Sequence, residues 1–372
     1  MSIPFVDLKV QYAGLKSEID AGIQRVLNHG RFILGPEVHE FEAALAEHVG
    51  VGHVVSCANG TDALVLALLG ENIGPGDAVF VPSFTFTATA ETVLLIGATP
   101  VFVDVDGDNF LIDCDDLEDR IAAVKAAGKL KPRAVIPVDL FGLPADYAGL
   151  EKIAEAHGLF LLGDAAQSLG GAAHGRAIGG LAPATATSFF PAKPLGCYGD
   201  GGALLTDDAA RAELWRSLRG HGIGKAKYDV VRIGLNSRLD TLQAAVLLAK
   251  LKVFAAEIEA RDRLAKKYEA ALKAAVKTPP RPEGLRSAWA QYTIQHNDRD
   301  GLKTRLGEKG VPSAIYYPLP MHLQTAYRSL GDGEGSLPVT EGLCQRVLSL
   351  PMHPYMDDGT ARQICEAVLT SL

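Results

Sequence analysis

The sequence predicts an α/β fold: a large domain with a mostly parallel sheet sandwiched by helices, followed by a smaller C-terminal α+β domain. Three observations predict it. Short apolar runs alternate with longer helical patterns through the first two-thirds of the chain, as βαβ units require. Near residue 237 that alternation gives way to long helical stretches. The length, 372 residues, exceeds one ordinary core and suggests two domains.

Taken in order, the apolar runs expected as strands are Ala78–Pro82, Pro100–Val105, Ala134–Asp139, Leu159–Gly163, Thr185–Phe190 and Gly202–Thr206. Helical patterns fit between or before them at Thr61–Leu69, Ala88–Ile96, Leu117–Ala127 and Leu150–His157. Ser237-Arg238-Leu239-Asp240 resembles a capping box, and a helix follows through Lys250. A second helix runs from about Phe254 to Ala275, and Pro279-Pro280-Arg281-Pro282 breaks the chain. Trp289–His296 alternates like an exposed strand. A helix, a second strand at Ser313–Tyr317 and terminal helices follow. The domain boundary is expected near residue 250, giving a large domain over 1–250 and a small one over 251–372.

Composition bounds the function. Hydrophobic residues make up 48% and charged residues 22%, ordinary for a globular protein. The net charge of −8 provides no footprint for nucleic acid or an anionic membrane surface. The start, Met1-Ser2-Ile3-Pro4, lacks the basic and apolar regions of a signal peptide. The longest apolar stretch, Val93–Val105, is interrupted by Gly97, Pro100 and Asp104. Five widely spaced cysteines (Cys57, Cys114, Cys197, Cys344, Cys365) suit neither a disulfide framework nor a thiolate metal site. The expectation is a cytoplasmic protein with reduced thiols, no bound metal and no membrane partner.

Three features at predicted strand ends carry chemistry, since open α/β sheets bind ligands there. Ser56-Cys57-Ala58-Asn59-Gly60-Thr61 is a strand-turn-helix whose helix start suits a phosphate. Taken alone, it reads more readily as a plain cap by Asn59 or Thr61. Leu161-Leu162-Gly163-Asp164 ends an apolar strand on a carboxylate, which is costly to bury without a partner. Asp164 fits a cap, a metal ligand or the partner of a protonated ring nitrogen. No second ligand lies at metal spacing. In Ser188-Phe189-Phe190-Pro191-Ala192-Lys193-Pro194, two prolines stiffen the backbone around Lys193, which therefore projects from an extended loop. A lysine whose charge its surroundings disfavour is a usable nucleophile and proton carrier.

Together these are the needs of pyridoxal 5'-phosphate: a helix start for its phosphate, a carboxylate for its ring nitrogen and an amine for its aldehyde. Gly220-His221-Gly222-Ile223-Gly224-Lys225 is also glycine-rich, but it follows a helix and reads as a mobile loop rather than a P-loop.

At these residues the chain resembles the DegT-type nucleotide-sugar aminotransferases, a branch of the fold type I pyridoxal-phosphate enzymes. The likeness begins at Gly30-Arg31-Phe32-Ile33-Leu34-Gly35-Pro36 and runs through Asn59-Gly60-Thr61, Asp164-Ala165-Ala166-Gln167 and Ser188 to Lys193. It continues with Asn236-Ser237-Arg238-Leu239-Asp240 and Leu350-Pro351-Met352-His353-Pro354. The resemblance implies that Lys193 bonds the cofactor aldehyde and then moves the proton, that Asp164 pairs with the ring nitrogen and that Gln167 contacts the ring hydroxyl. It assigns the phosphate to Gly60, Thr61 and Ser188, and ring stacking to Phe86, which reads almost as well as a core phenylalanine. It implies a homodimer with shared active sites, Asn236 reaching the neighbouring subunit's cofactor phosphate. Without the resemblance, Asn236, Ser237 and Asp240 read as helix caps.

The string Lys193-Pro194-Leu195-Gly196-Cys197-Tyr198-Gly199-Asp200-Gly201-Gly202 looks most like enzymes that aminate C3 of a UDP-linked 3-keto-N-acetylglucosaminuronic acid, with L-glutamate as donor. That likeness places Arg238 and Tyr317, with the adjacent Tyr316, near the substrate. Arg238 reads also as an ion-pair partner of Asp240. Those enzymes carry histidine where this chain has Tyr316. A related 3-keto sugar and amination at C4 of a 4-keto-6-deoxy nucleotide sugar therefore stay open. Separately, so do a non-catalytic, regulatory member of the fold and another pyridoxal-phosphate reaction, such as decarboxylation or elimination. Lys225, Lys227 and Arg232 suit a diphosphate or a solvated loop.

Overall fold

The computed structural model describes residues 3–226 and 228–372. Two helices open the fold, α1 (Leu8–His29) and α2 (Pro36–Val49), neither of which the sequence reading placed. Asp7 caps α1 by accepting from the backbone N–H groups of Lys9 and Val10, each at 3.1 Å, and Gly30 ends it in the left-handed region at φ 67°.

Seven strands form the central sheet: β1 (His53–Cys57), β2 (Asp77–Pro82), β3 (Thr99–Val103), β4 (Lys131–Val135), β5 (Phe160–Asp164), β6 (Ala184–Ser188) and β7 (Gly202–Thr206). Their spatial order is β1-β7-β6-β5-β4-β2-β3. All neighbours pair in parallel except β7, which runs antiparallel to both β1 and β6. One consequence positions the site. Because β7 reverses twice, β1 and β6 end on the same edge, and Gly202 at the start of β7 pairs with both Cys57 and Ser188.

Helices α3 (Gly60–Gly70), α4 (Ala88–Leu95), α5 (Cys114–Ala127), α6 (Tyr147–His157) and α7 (Ala209–Leu218) flank the sheet. Alternate side chains of β2 divide between two cores. Val79 and Val81 pack with Leu64 and Leu68 of α3, while Phe80 packs with Leu117, Ile121 and Leu150. That division is why these strands read as continuous apolar runs rather than alternating ones.

A single helix, α8 (Thr241–Leu272), replaces the two expected around residues 250–254. No glycine or proline interrupts it, and Ala, Leu, Lys and Glu dominate its sequence. Its first half buries Ala244, Leu247 and Phe254 against Phe41 and Leu45 of α2. Its second half buries Leu264, Tyr268 and Leu272 with Tyr292, Ile294 and Leu348. Residue 250 thus lies inside a helix shared by two cores.

Beyond it, β8 (Tyr292–Gln295) pairs antiparallel with β9 (Val347–Leu350), among α9 (Arg299–Glu308), α10 (Pro338–Arg346) and α11 (Asp358–Leu369). The four residues of β8 are all buried, not alternately exposed. Ser313–Tyr317 contributes only a bridge from Ala314 to Ser349 rather than a strand. Pro312 and Pro318 bracket it and offer no N–H for a ladder.

Candidate active site

Because β1, β5 and β6 end on one edge, the three motifs meet. At the end of β1, the Asn59 side chain accepts from the Asp62 N–H at 2.8 Å and caps α3. The N–H groups of Gly60 and Thr61 have no acceptor among the described residues. Space there is tight. A Cβ on Gly60 would lie 2.7 Å from Ser188 Cβ, and one on Gly202 2.4 Å from the Asn59 carbonyl carbon. Backbone alone fits, so the first turn of α3 rests directly on Ser188. The Ser188 hydroxyl accepts from the Phe190 N–H at 3.2 Å.

Asp164 ends β5 with 5% of its surface exposed. Its Oδ1 accepts from the Ala166 N–H at 3.1 Å, and its Oδ2 from the Thr89 hydroxyl at 3.0 Å. No ion pair reaches it among the described residues. Burial raises its pKa, against the two hydrogen bonds and the attraction of Lys193. Lys193 is half-buried in the loop after β6, its N–H donating to the Phe190 carbonyl at 2.8 Å. Burial lowers its pKa, and Asp164 draws it back. The two groups feel each other without closing into a salt bridge.

Gln167 is buried, its Oε1 accepting from the Phe141 N–H at 2.6 Å and its Nε2 donating to the Tyr317 hydroxyl at 3.4 Å. Burial raises the pKa of Tyr317. Phe86 is 55% exposed, so the core reading fails; its ring centroid lies 6.3 Å from that of Tyr317. Tyr316 turns towards the N-terminal segment, its ring 6.3 Å from Phe5.

The strap 236–238 lies against the phosphate-type seat. Ser237 does not cap α8: its hydroxyl accepts from the Ala58 N–H at 3.2 Å, and its N–H donates to the Arg219 carbonyl at 2.9 Å. Asp240 occupies the cap position of α8 but makes no side-chain cap bond. Asn236 is exposed. Arg238 forms no ion pair with Asp240, and its Nε is sealed from solvent without a partner. Lys225 and Arg232 stand in the loop after α7, Arg232 bonded to the Ser217 hydroxyl at 2.5 Å, and Lys227 lies outside the described residues.

Two contributors escaped the sequence reading. Thr89 was not distinguished within a threonine-rich run. Arg219 is buried, its Nη1 donating to Glu42 Oε1 at 2.5 Å and to the Ser56 carbonyl at 2.6 Å, which fixes the strand feeding the seat. Standing at the C-terminal cap of α7 before a glycine-rich run, it has nothing in its local sequence to mark it as buried.

The donor set fits pyridoxal 5'-phosphate: a helix start with spare N–H groups and no room for a side chain, a buried carboxylate without a cation, and an amine facing it. Comparison with known proteins agrees. The model of the DegT/DnrJ/EryC1/StrS aminotransferase family matches residues 14–369. The UDP-2-acetamido-2-deoxy-3-oxo-D-glucuronate aminotransferase of Pseudomonas aeruginosa is 45% identical, over 98% of this chain and 99% of its own. The UDP-N-acetyl-3-dehydro-alpha-D-glucosamine 3-aminotransferase of Acidithiobacillus ferrooxidans is 43% identical, over 100% of this chain and 98% of its own. A crystal structure of a family aminotransferase from Brucella abortus superposes with a TM-score of 0.97 at 55% identity, covering 99% of each chain. The chain belongs to the DegT/DnrJ/EryC1/StrS aminotransferases, pyridoxal-phosphate-dependent enzymes of sugar amination.

Proposed function

We propose that this enzyme transfers the amino group of L-glutamate to C3 of a UDP-linked 3-keto-N-acetylhexosaminuronate or a related 3-keto sugar, for surface polysaccharide biosynthesis, with 2-oxoglutarate as co-product. The observation that carries the substrate half is Arg238, whose buried Nε has no partner beside the phosphate-type seat. Arg238 is only part-buried and has no ion pair among the described residues, so its guanidinium is open to a carboxylate or phosphate from the substrate. Similarity to a 3-oxo-glucuronate aminotransferase over nearly the whole length supports the same reading.

When bound, the cofactor supplies an electron sink conjugated to the reacting carbon. The residues do the rest. The N–H groups of Gly60 and Thr61 and the Ser188 hydroxyl hold the phosphate at the dipole of α3. Asp164 keeps the ring nitrogen protonated, Gln167 meets the ring hydroxyl, and Phe86 covers one face. The Lys193 amine, its charge disfavoured by burial, would bond the cofactor and carry the proton between the carbon of the bound amino compound and that of the cofactor. Asn236 serves the phosphate of a second subunit in a homodimer with shared sites. The exposed Val230, Val231 and Ile233 nearby support such a contact. The reading places the enzyme in the cytoplasm.

Tyr316, in place of histidine, supplies no cation for a uronate, so the second reading is a 3-keto or 4-keto deoxy nucleotide sugar, the latter aminated at C4. The test is turnover of each ketosugar class by purified enzyme with L-glutamate, read as 2-oxoglutarate. The 3-keto uronate should be the better substrate, and Arg238→Gln should raise its KM at least tenfold. Preference for the 4-keto sugar would refute the assignment, and release of carbon dioxide or ammonia would indicate decarboxylation or elimination.

A further inference from the structure

Lys193 is held from behind by a helix that contributes no residue to the site described above. The loop Phe190–Tyr198 folds back on itself: the Cys197 N–H donates to the Phe189 carbonyl at 2.8 Å. Gly196 sits so close to the chain before it that a Cβ there would lie 2.5 Å from the Pro191 carbonyl oxygen. Two side chains of α8 reach this turn. Gln243 grips the backbone of Tyr198 from both sides, its Oε1 accepting from the N–H at 2.8 Å and its Nε2 donating to the carbonyl at 3.2 Å. Lys250, only 1% exposed, donates to the Gly196 carbonyl at 2.6 Å and stands 4.2 Å above the Tyr198 ring.

Gln243 and Lys250 are seven residues apart, two turns on one helix face. A buried amine is expensive without a strong partner. Burial draws the pKa of Lys250 down to about 8, and the attraction of Glu257 and Cys197 opposes the fall. Its partners are one carbonyl and one aromatic face, both in the turn that follows Lys193. A lysine spent on this turn, in a core where leucine would pack, indicates that the turn's position matters.

We propose that α8 is a positioning element for the reacting amine: Lys250 and Gln243 fix residues 196–198 and so set where Lys193 meets the donor carbon. This rests on Lys193 being the amine that reacts, as proposed above. Neither residue is among those proposed to hold cofactor or substrate, and both bond the backbone of this loop, so they act through it.

The test uses the wild type, Lys250→Met, Lys250→Arg and Gln243→Leu as holoenzymes. Each is mixed rapidly with L-glutamate, and the loss of the cofactor's visible band gives the limiting rate. Cofactor Kd is measured in parallel. Lys250→Met and Gln243→Leu should lose at least tenfold in limiting rate, with Kd and half-saturating glutamate within threefold of wild type. Lys250→Arg, which restores a cationic donor, should return to within threefold of the wild-type rate. Wild-type rates in the two damaging variants would overturn the proposal. So would a rate loss matched by an equal loss of cofactor affinity, or a Lys250→Arg as slow as Lys250→Met. Should Lys250→Met not fold, Gln243→Leu decides by the same criteria. A wild type that binds cofactor yet never responds to glutamate overturns the parent reading and this one with it, a result distinct from the others.

Discussion

Replacing Gly202 with alanine tests the phosphate seat with one methyl group. Gly202 begins β7, in register with Cys57 on one side and Ser188 on the other. A Cβ there would meet the Asn59 carbonyl carbon and oxygen at 2.4 Å and the Gly60 nitrogen at 2.7 Å. All three are backbone atoms, so no rotamer change relieves the overlap. Comfortable carbon contacts begin near about 3.5 Å, so the first turn of α3 must retreat by about 1 Å. Such overpacking typically costs about 1–3 kcal/mol of stability. The cofactor loses more specifically, because the displaced atoms include the N–H groups proposed to face its phosphate. Losing one charge-assisted hydrogen bond, about 1.5–3 kcal/mol, raises Kd about 10- to 150-fold. Absorbance titration of the cofactor-free enzyme with pyridoxal 5'-phosphate measures this, with pyridoxal as the phosphate-free control. Pyridoxal binding should change little. Gly14→Ala, with nothing within 4 Å of the new Cβ, should leave both unchanged. An unaltered Kd for Gly202→Ala, or an equal loss for pyridoxal, would refute the seat.

Lys193→Ala should abolish release of 2-oxoglutarate from glutamate, by about 10³-fold or more, while retaining the fold by circular dichroism. Thr89→Val removes the donor 3.0 Å from Asp164 Oδ2 and should lower kcat about tenfold, since a buried carboxylate then loses one of its two hydrogen bonds; an unchanged kcat counts against Asp164 as the ring-nitrogen partner. Asp139 gives a pH signature in stability. Burial pushes its carboxyl from 3.8 to about 7, against bonds from the Ala145 N–H, the Ser168 hydroxyl and the Tyr147 hydroxyl. A raised carboxylate pKa means stability present below the unfolded value and lost as pH rises through about 7. A shift of about three units corresponds to about 4 kcal/mol at most. Urea unfolding should therefore show Asp139→Asn gaining on wild type between pH 4 and 8, and a pH-independent difference would contradict the assignment.

How much of this was legible follows from what each residue depends on. Asn59-Gly60, Asp164 and Lys193 are marked by their immediate neighbours: a cap before an apolar helix, an acid ending an apolar strand, a lysine between prolines. Local chemistry of that kind survives in one dimension. That the three motifs share one edge depends on β7 pairing antiparallel with both β1 and β6, which spacing alone does not disclose. Lys250 was illegible for a different reason. In a helix rich in lysine and glutamate it looks like any solvated residue, and only the packing of α8 beneath the loop reveals it as 1% exposed. Phe86 stood open between ring stacking and the core. An aromatic within Ser83-Phe84-Thr85-Phe86 invites a core assignment, and Phe84 takes that place at 1% exposure while Phe86 faces out at 55%. The break expected near residues 250–254 is absent: α8 runs unbroken through a sequence of continuous helix formers, and its change of core partner along the way is tertiary.

The division of labour in the site follows from these supports. Gly60, Asp164, Ser188 and Lys193, the groups proposed to hold the cofactor, sit at or just after the ends of strands of one sheet, so their spacing is set by ladder hydrogen bonds that cannot drift independently. Groups assigned to the sugar, Arg238 and Tyr317, come instead from a strap and from the irregular segment after α9. Yet the two sets are not independent. The Arg219 guanidinium holds Glu42 and the Ser56 carbonyl beneath the seat, while its own backbone carbonyl receives the Ser237 N–H of the strap. One buried residue therefore fixes the strap relative to the phosphate-type seat. Removing it leaves Glu42, 7% exposed, without its cation, which is far more damaging than losing a surface pair. A substitution at Arg238 can then alter the sugar without disturbing the cofactor, whereas a change at Arg219 must affect both at once.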